Sequence, residues 1–343
     1  MKAPTAALLA AIAAACNIPA AHGEILIGMP GPMTGGMAWF GEQMQEGIGM
    51  KVAELNAAGG VLGQPVEILP VDDFCDPDQA TAAARRLVTA HVAAVIGHLC
   101  SGAAIPASPI YEEAGILLIS VATNPKLTDQ GFRTVFRITG RDTLQGTMAA
   151  DQLVQNWHAQ NIAIVHDGQA YGLGVADAAR QRLQERGVNE VMFEAIEPGK
   201  TDYFDLIDQL QANGVDALFF GGYYAEAGLI IRQARSRGYD VRMIGPDTLN
   251  TEFFWREMRA RACFFPPIAS CATSPTPRLS LRGFGRRATS PRASRFSRTH
   301  QFDTLAGTIG FDAKGDVTGY EPFEWYIWKG GHYAPVDPTE LAE

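Results

Sequence analysis

Short apolar runs alternate with amphipathic stretches down this chain, and the alternation runs through twice. The first series predicts strands over 25–29, 66–71, 92–96, 116–120 and 135–138, with helices over 40–60, 76–90, 102–114 and 143–157. The second predicts strands over 161–166, 190–194, 217–220 and 243–244, with helices over 174–186, 201–213 and 225–238. Pro30-Gly31-Pro32 ends the first strand, Gly59-Gly60 closes the first helix, and Asp76-Pro77-Asp78 caps the second with proline in its first turn. Parallel strands need long crossovers, and helices of this length supply them. The expectation is an α/β protein of two doubly wound parallel-sheet lobes. Such sheets bind ligands beyond the carboxyl ends of their strands. The loops there hold residues 31–36, Cys100-Ser101, Ala122-Thr123, Tyr171, Gly221-Gly222-Tyr223 and Asp247.

With 343 residues and 47% apolar content, the chain has enough material for two cores. Its formal net charge of -9 argues against nucleic acid as a partner of the whole molecule. Met1-Lys2 precedes a run of Ala, Leu and Ile over 6–15, and Ala20-Ala21-His22-Gly23 follows. The run is too short to span a bilayer, so 1–23 is expected to be a secretory signal cleaved before Glu24. A buried N-terminal helix and lipid attachment at Cys16 are the alternatives; the second lacks a leucine three residues upstream.

Export changes the meaning of the remaining cysteines, Cys75, Cys100, Cys263 and Cys271. An oxidising compartment favours disulfides over free thiols. Cys75 and Cys100 each follow a predicted strand, and neighbouring parallel strands would bring their ends together, so a bridge suits the spacing.

The texture breaks between Met258 and Gln301. This stretch has no Asp, Glu or Lys but nine Arg, six Ser and five Pro, and ordinary patterning returns at Phe302-Asp303-Thr304. A basic surface loop, a phosphate- or nucleic-acid-binding arm and a slip of the reading frame would each give such a composition. The abrupt edges and missing lysine favour the slip, and the segment is expected to be poorly packed.

No motif assembles an enzyme. Gly172-x-Gly174 and Gly97-x-x-x-x-Gly102 make neither a dinucleotide fingerprint nor a P-loop, and no Gly-x-Ser-x-Gly elbow occurs. His98 and Ser101 sit three apart across a strand-to-helix turn, where their side chains diverge; His98 is expected to be a packed turn residue. The seven histidines lack metal-ligand spacing. A binding site fits better. Ser101 opens a helix, whose free N–H groups and dipole favour an anion, and Thr123 occupies the equivalent loop after the next strand. Asp247 in the second lobe offers an anion for an ammonium group, and Tyr171 and Tyr223 offer a flat lining. These parts describe a clamp for an α-amino acid.

With those residues in view, the chain resembles the periplasmic branched-chain amino acid-binding proteins of ABC importers. The likeness rests on Met33-Thr34-Gly35, Phe40-Gly41-Glu42-Gln43, Asp72-Asp73-Phe74-Cys75-Asp76-Pro77, Val95-Ile96-Gly97-His98-Leu99-Cys100-Ser101 and Ile119-Ser120-Val121-Ala122-Thr123. Tyr171-Gly172, Gly221-Gly222-Tyr223 and Ile244-Gly245-Pro246-Asp247 complete it, and it resumes over 302–323. The resemblance implies a Cys75–Cys100 disulfide, carboxylate-binding hydroxyls at Ser101 and Thr123, and backbone contacts at Ala122. It also implies second-lobe contacts at Tyr171 and Tyr223, an ammonium partner at Asp247, and an aromatic cap over the ligand side chain at Phe40. The loop 120–123 is one residue shorter than the family's, and 259–298 replaces elements that would close the first lobe and form a hinge crossing.

The expected organisation is a signal over 1–23, a first lobe from 24–141 plus about 302–318, a second from 142–257 plus 319–343, and an aberrant 258–301. The expected function is capture of a Leu/Ile/Val-like amino acid in the periplasm by a monomer that delivers it to a membrane permease, with no cofactor and no metal. Weaker alternatives are a binder made incompetent by 258–301, a ligand-sensing domain, and a secreted hydrolase using Ser101 or Cys100.

Overall fold

The computed structural model describes residues 23–254, 269–273, 301–304, 307–319, 323–329 and 332–337. Cys16, Cys263 and the expected signal up to His22 lie outside the described residues.

The first block folds as expected into one parallel sheet. Its strands are β1 (Ile25–Gly31), β2 (Val66–Asp72), β3 (Ala94–Ile96), β4 (Leu117–Ser120) and β5 (Val135–Arg137), in the order β2-β1-β3-β4-β5. The crossovers include α1 (Ala38–Ala57), α2 (Pro77–Thr89), α3 (Ser101–Ala114) and the single turn α4 (Lys126–Asp129). Asp76 starts α2 because its Oδ1 accepts the N–H groups of Asp78 and Gln79, both at 2.9 Å, and Pro77 has no N–H to satisfy. Gly115, in the left-handed region, stops α3. Small residues on these helices (Ala80, Ala84, Ala104, Ala107) let them lie close over Val95, Leu118 and Val135, with Leu87 of α2 packed among them. Leu87 is wholly buried there, so truncating it to alanine should cost about 2–5 kcal/mol.

The second block repeats the plan. The parallel strands β6 (Ile162–His166), β7 (Met192–Ala195), β8 (Ala217–Gly221) and β9 (Arg242–Gly245) pair in the order β7-β6-β8-β9. Four helices pack on them: α5 (Asp142–Asp151), α6 (Ala170–Glu185), α7 (Phe204–Ala212) and α8 (Tyr224–Ser236). β6 and β8 are buried along their full length, which explains their unbroken apolar runs: helices cover both faces. Ile162 and Ile164 face Leu153, Val175 and Ala179, while Ala163 and Val165 face Ile207, Leu210 and Ile230.

Within 258–301, where no regular structure is expected, residues 269–273 form β10 (Ala269–Thr273). It pairs parallel to β9 and antiparallel to β14 (Phe323–Lys329). A vacancy between two strands holds any segment with free backbone N–H and C=O groups, so weak patterning does not prevent pairing. The rest of 258–301 lies outside the described residues. Between β10 and β14 come β11 (Phe302–Thr304), β12 (Gly307–Phe311) and β13 (Val317–Thr318), an antiparallel trio, and β15 (His332–Pro335) completes the large sheet beside β14.

The turn before β13 docks on the first sheet. Arg137 N–H donates to the Gly315 carbonyl at 2.9 Å, and Arg137 and Asp316 form a parallel bridge. Gly315 has φ +93°, and a Cβ there would collide with the Val135 carbonyl oxygen, so only glycine fits.

Helix starts depart from expectation in one informative place. Helix α6 begins at Ala170, not at 174, so Tyr171 and Gly172 lie in its first turn. The two glycines lower helix propensity, but a Cβ on Gly172 would strike the Gly221 carbonyl. Close approach of the β6 and β8 loops therefore outweighs propensity.

Candidate functional site

In each sheet the first and third strands of the block are neighbours, so the winding reverses between β1 and β3 and between β6 and β8. The crevice of a doubly wound sheet opens at that point. The two crevices meet. Tyr223, after β8, donates its hydroxyl to Cys100 Sγ at 3.4 Å, and Asn124, after β4, donates its amide to the Ala170 carbonyl at 2.6 Å.

On the first side, Ser101 is the first residue of α3 and is buried; its Oγ accepts the Asn124 N–H at 3.2 Å. Thr123 is also buried, and its carbonyl accepts from Arg137 Nη1 at 2.9 Å and from the Asp142 N–H at 3.0 Å. Ala122 lies beside it, but its N–H donates to Ser120 Oγ at 3.1 Å. The backbone donor expected at Ala122 is thus engaged within the shortened loop. Cys75 and Cys100 are joined, with Cα atoms 5.4 Å apart, which fixes the start of α3 against the end of β2.

On the second side, Tyr171 and Tyr223 sit with ring centroids 5.3 Å apart. The Tyr171 hydroxyl donates to Asp247 Oδ1 at 2.7 Å. Asp247 opens the turn after β9, and its N–H donates to Gln145 Oε1 at 2.9 Å. Burial pushes its carboxyl up to about 6, partly offset by the Tyr171 hydrogen bond. Burial also drives both tyrosine hydroxyls well above their ordinary range, so each remains a neutral donor. Ser101, Thr123, Tyr171, Tyr223 and Asp247 therefore gather where the two crevices meet. Phe40 stands apart from them: its ring contacts are Trp39 at 4.9 Å and Tyr224 at 6.3 Å, and it packs on the core of the second sheet.

Sequence reasoning missed three side chains here. Asp142, the first residue of α5, is fully buried, and the Thr123 hydroxyl is the hydrogen-bonding group that acts on its carboxylate. Burial pushes this carboxyl up to about 7; Asp247 adds to the shift, while the Thr123 hydroxyl, Arg137 and Arg141 oppose it. Gln145 is buried one turn later with its Nε2 unpartnered. Asp167, after β6, accepts the Gln169 N–H through Oδ1 at 2.9 Å, while its buried Oδ2 has no partner. Burial takes its carboxyl to about 6. An acid at a helix start or before a glycine turn is ordinary on the page, so only depth in the fold distinguishes these.

His98 behaves as a packed residue. Its Nδ1 is 2.6 Å from Asp73 Oδ2 and its Nε2 is 3.1 Å from the Tyr111 hydroxyl, with the ring fully buried. It has no bond to Ser101. Among the described residues no group of three or more His, Cys, Asp or Glu is placed to hold a metal ion, and no helix is long and apolar enough to cross a membrane.

A hydroxyl-lined crevice facing an acidic, aromatic one is the architecture of a solute-binding protein. The periplasmic binding protein family model matches residues 24–252, and this chain belongs to that family. An amino acid binding protein of Pseudomonas aeruginosa is 35% identical over 339 residues, covering 88% of this chain and 90% of its own length. The Leu/Ile/Val-binding protein of Escherichia coli K12 is 33% identical over 352 residues, covering 94% and 96%. A branched-chain amino acid transporter substrate-binding protein from Streptococcus pneumoniae, solved with isoleucine, superposes with a TM-score of 0.75 over 91% of this chain and 100% of its own, at 24% identity. These similarities support a solute-binding role.

Proposed function

We propose that this protein captures a branched-chain or similar aliphatic amino acid in the periplasm and delivers it to the membrane permease of an ABC importer. The observation that carries the reading is the meeting of two crevices, one lined by Ser101 and Thr123, the other by Tyr171, Tyr223 and Asp247. The hydroxyls and the N-terminus of α3 suit the ligand's carboxylate. Asp247 suits its ammonium, and Ala122, buried beside Thr123, offers backbone groups to the amino acid. Phe40 caps the ligand's side chain only when the lobes move relative to one another, since its ring otherwise leans on Tyr224. Residues 24–141 with about 302–318 form one lobe, 142–257 with 319–343 the other, and they close as hinged bodies. The chain acts as an exported monomer after removal of 1–23 and performs no chemistry: His98 is spent on Asp73 and Tyr111, and Cys100 is in a disulfide. The similarity of relatives named for binding Leu, Ile and Val supports the ligand class.

Calorimetric titration with Leu, Ile, Val, Phe and leucinamide tests this. Saturable binding of at least one aliphatic amino acid, with loss for the amide, is expected; heats indistinguishable from dilution for all five would overturn it.

A further inference from the structure

Asn124 joins the two sides of the crevice. It is buried in the loop after β4, and its N–H donates to Ser101 Oγ at 3.2 Å. Its carbonyl accepts from Arg137 Nη1 at 2.9 Å, and its Oδ1 accepts the Lys126 N–H at 2.9 Å. With the oxygen so engaged, the amide nitrogen is left to donate to the Ala170 carbonyl at 2.6 Å, on the second side. A helix assigns that carbonyl to the N–H four residues on, at Gly174, and its second lone pair is open to Asn124. Gly174 records this contact in the sequence. It lies inside α6, where glycine is the poorest residue after proline, and its backbone is not in the left-handed region that would call for one. A Cβ there would come within 2.5 Å of Asn124 Nδ2, whereas the next nearest atom, Asp142 Oδ2, would be in ordinary contact at 3.4 Å. Room for the Asn124 amide is therefore what glycine supplies at this position.

We propose that Asn124 and Gly174 form a latch between the two lobes, which sets how long they stay closed and so tunes affinity for the amino acid. The inference rests on the reading of hinged lobes given above and deepens it by naming the residues that hold the closed form. A contact made only when the lobes meet raises the closed fraction, and apparent affinity scales with the fraction of protein in the competent form. Asn124 also carries the hydrogen bond to Ser101 Oγ, so closure and the setting of the hydroxyl cradle share one residue. Both latch residues act through the lobes' meeting and are positioning residues. The Tyr224 hydroxyl, which donates to the Gly36 carbonyl at 2.6 Å, spans the lobes as well. Loss of the latch accordingly weakens binding without abolishing it.

The test titrates leucine into the full-length protein and into Asn124→Ser, Gly174→Ala and the double variant, with ligand-free melting temperatures and stopped-flow rates for each. Serine keeps an acceptor for the Lys126 N–H but is too short to reach Ala170. Each single variant is expected to weaken leucine by roughly 2–12-fold, the range for one hydrogen bond between neutral groups. The loss should fall on dissociation, with association changed by less than about twofold. Gly174→Ala should melt no lower than the wild type, because alanine favours the helix. In the Asn124→Ser background the same exchange should alter affinity by less than about twofold, since the amide it displaces is gone. Unchanged affinity in both single variants, losses that add in the double, or a loss carried by association would each overturn the latch. A lower melting temperature or failure to fold in Gly174→Ala would assign this glycine to the packing of its own lobe and overturn it as well. Should Asn124→Ser not fold, Gly174→Ala decides alone through its affinity, rates and melting temperature. A wild type that gives no heat with leucine, isoleucine or valine would overturn the amino acid reading itself.

Discussion

Arg137 Nε donates to Asp316 Oδ1 at 2.8 Å across a separation of 179 residues. The same guanidinium, fully buried, also donates to the carbonyls of Thr123 and Asn124 at 2.9 Å. One side chain thus fastens the chain that returns after 258–301 to the loop that carries the hydroxyl cradle. Removing one partner of a buried pair strands the other, so Arg137→Met or Asp316→Leu alone should cost about 3–5 kcal/mol, and the double variant less than the sum. Urea unfolding of the four proteins completes the cycle; strictly additive losses would show that the two residues act separately.

The Cys75–Cys100 bridge closes a loop of 25 residues at the mouth of the first crevice. Replacing both cysteines by alanine should lower stability by about 2–4 kcal/mol, read from denaturant midpoints in the absence of reductant. In the untreated native protein, alkylating reagents are expected to leave Cys100 unmodified. Labelling there without prior reduction would contradict the bridge and restore the thiol as a candidate nucleophile.

If the two crevices form one clasp, substitutions on opposite sides should weaken the same ligand. Ser101→Ala removes one hydroxyl and should reduce leucine affinity by roughly 10–150-fold, the range for a lost hydrogen bond to a charged group. Asp247→Ala should weaken leucine at least as much and spare 2-hydroxy-4-methylpentanoate. Unchanged affinity in both variants, with native circular dichroism, would dismantle the clasp.

Acidification should raise the contributions of Asp142 and Asp247 to the stability of the empty protein and weaken the complex. Asp142 is raised by burial from 3.8 to about 7 and Asp247 to about 6, so the folded chain holds protons that the unfolded chain releases. Their contribution to stability is full below about pH 4 and is lost as pH rises through about 6 to 7, with a slope of up to about 1.4 kcal/mol per pH unit for each group. Other carboxylates, such as Asp129 beside Arg141 and Lys314 and Asp151 beside Arg182 and Arg186, are lowered by these cations against the cost of burial and act in the opposite sense. The clean measurement is therefore the difference in melting temperature between wild type and Asp142→Asn, which should grow in favour of wild type as pH falls from about 7.5 to 5. Leucine affinity should decline over the same range, because an ammonium needs the ionised carboxylates. A pH-independent difference in melting would place Asp142 outside the titrating set.

Periodicity made most of the fold legible, because continuous apolar strands and amphipathic helices report burial directly. The loops after β3, β4, β8 and β9 were legible for a related reason: strand carboxyl ends are where such sheets bind ligands. That logic pointed to Ser101, Thr123, Tyr223 and Asp247, which the fold brings to the two crevices. It could not expose Asp142, since an acid in the first turn of a helix is favoured by the dipole whether exposed or buried. Arg137 was equally silent in a short strand, because its partner Asp316 is far along the chain and only tertiary folding joins them. The start of α6 was missed because propensity disfavours glycine there, whereas the contact between Gly172 and Gly221 demands it.

Strand β10 joins β9 to β14 through main-chain pairing, in a region of unusual composition. What a sheet asks of an inserted strand is an amide hydrogen and a carbonyl at the right pitch, and nineteen of the twenty residue types present both. Proline scanning across 269–273 should accordingly be ruinous, because the seam depends on peptide groups that nearly every codon supplies. Even a stretch whose letters have drifted far from their neighbours' style can stitch two halves of a sheet together.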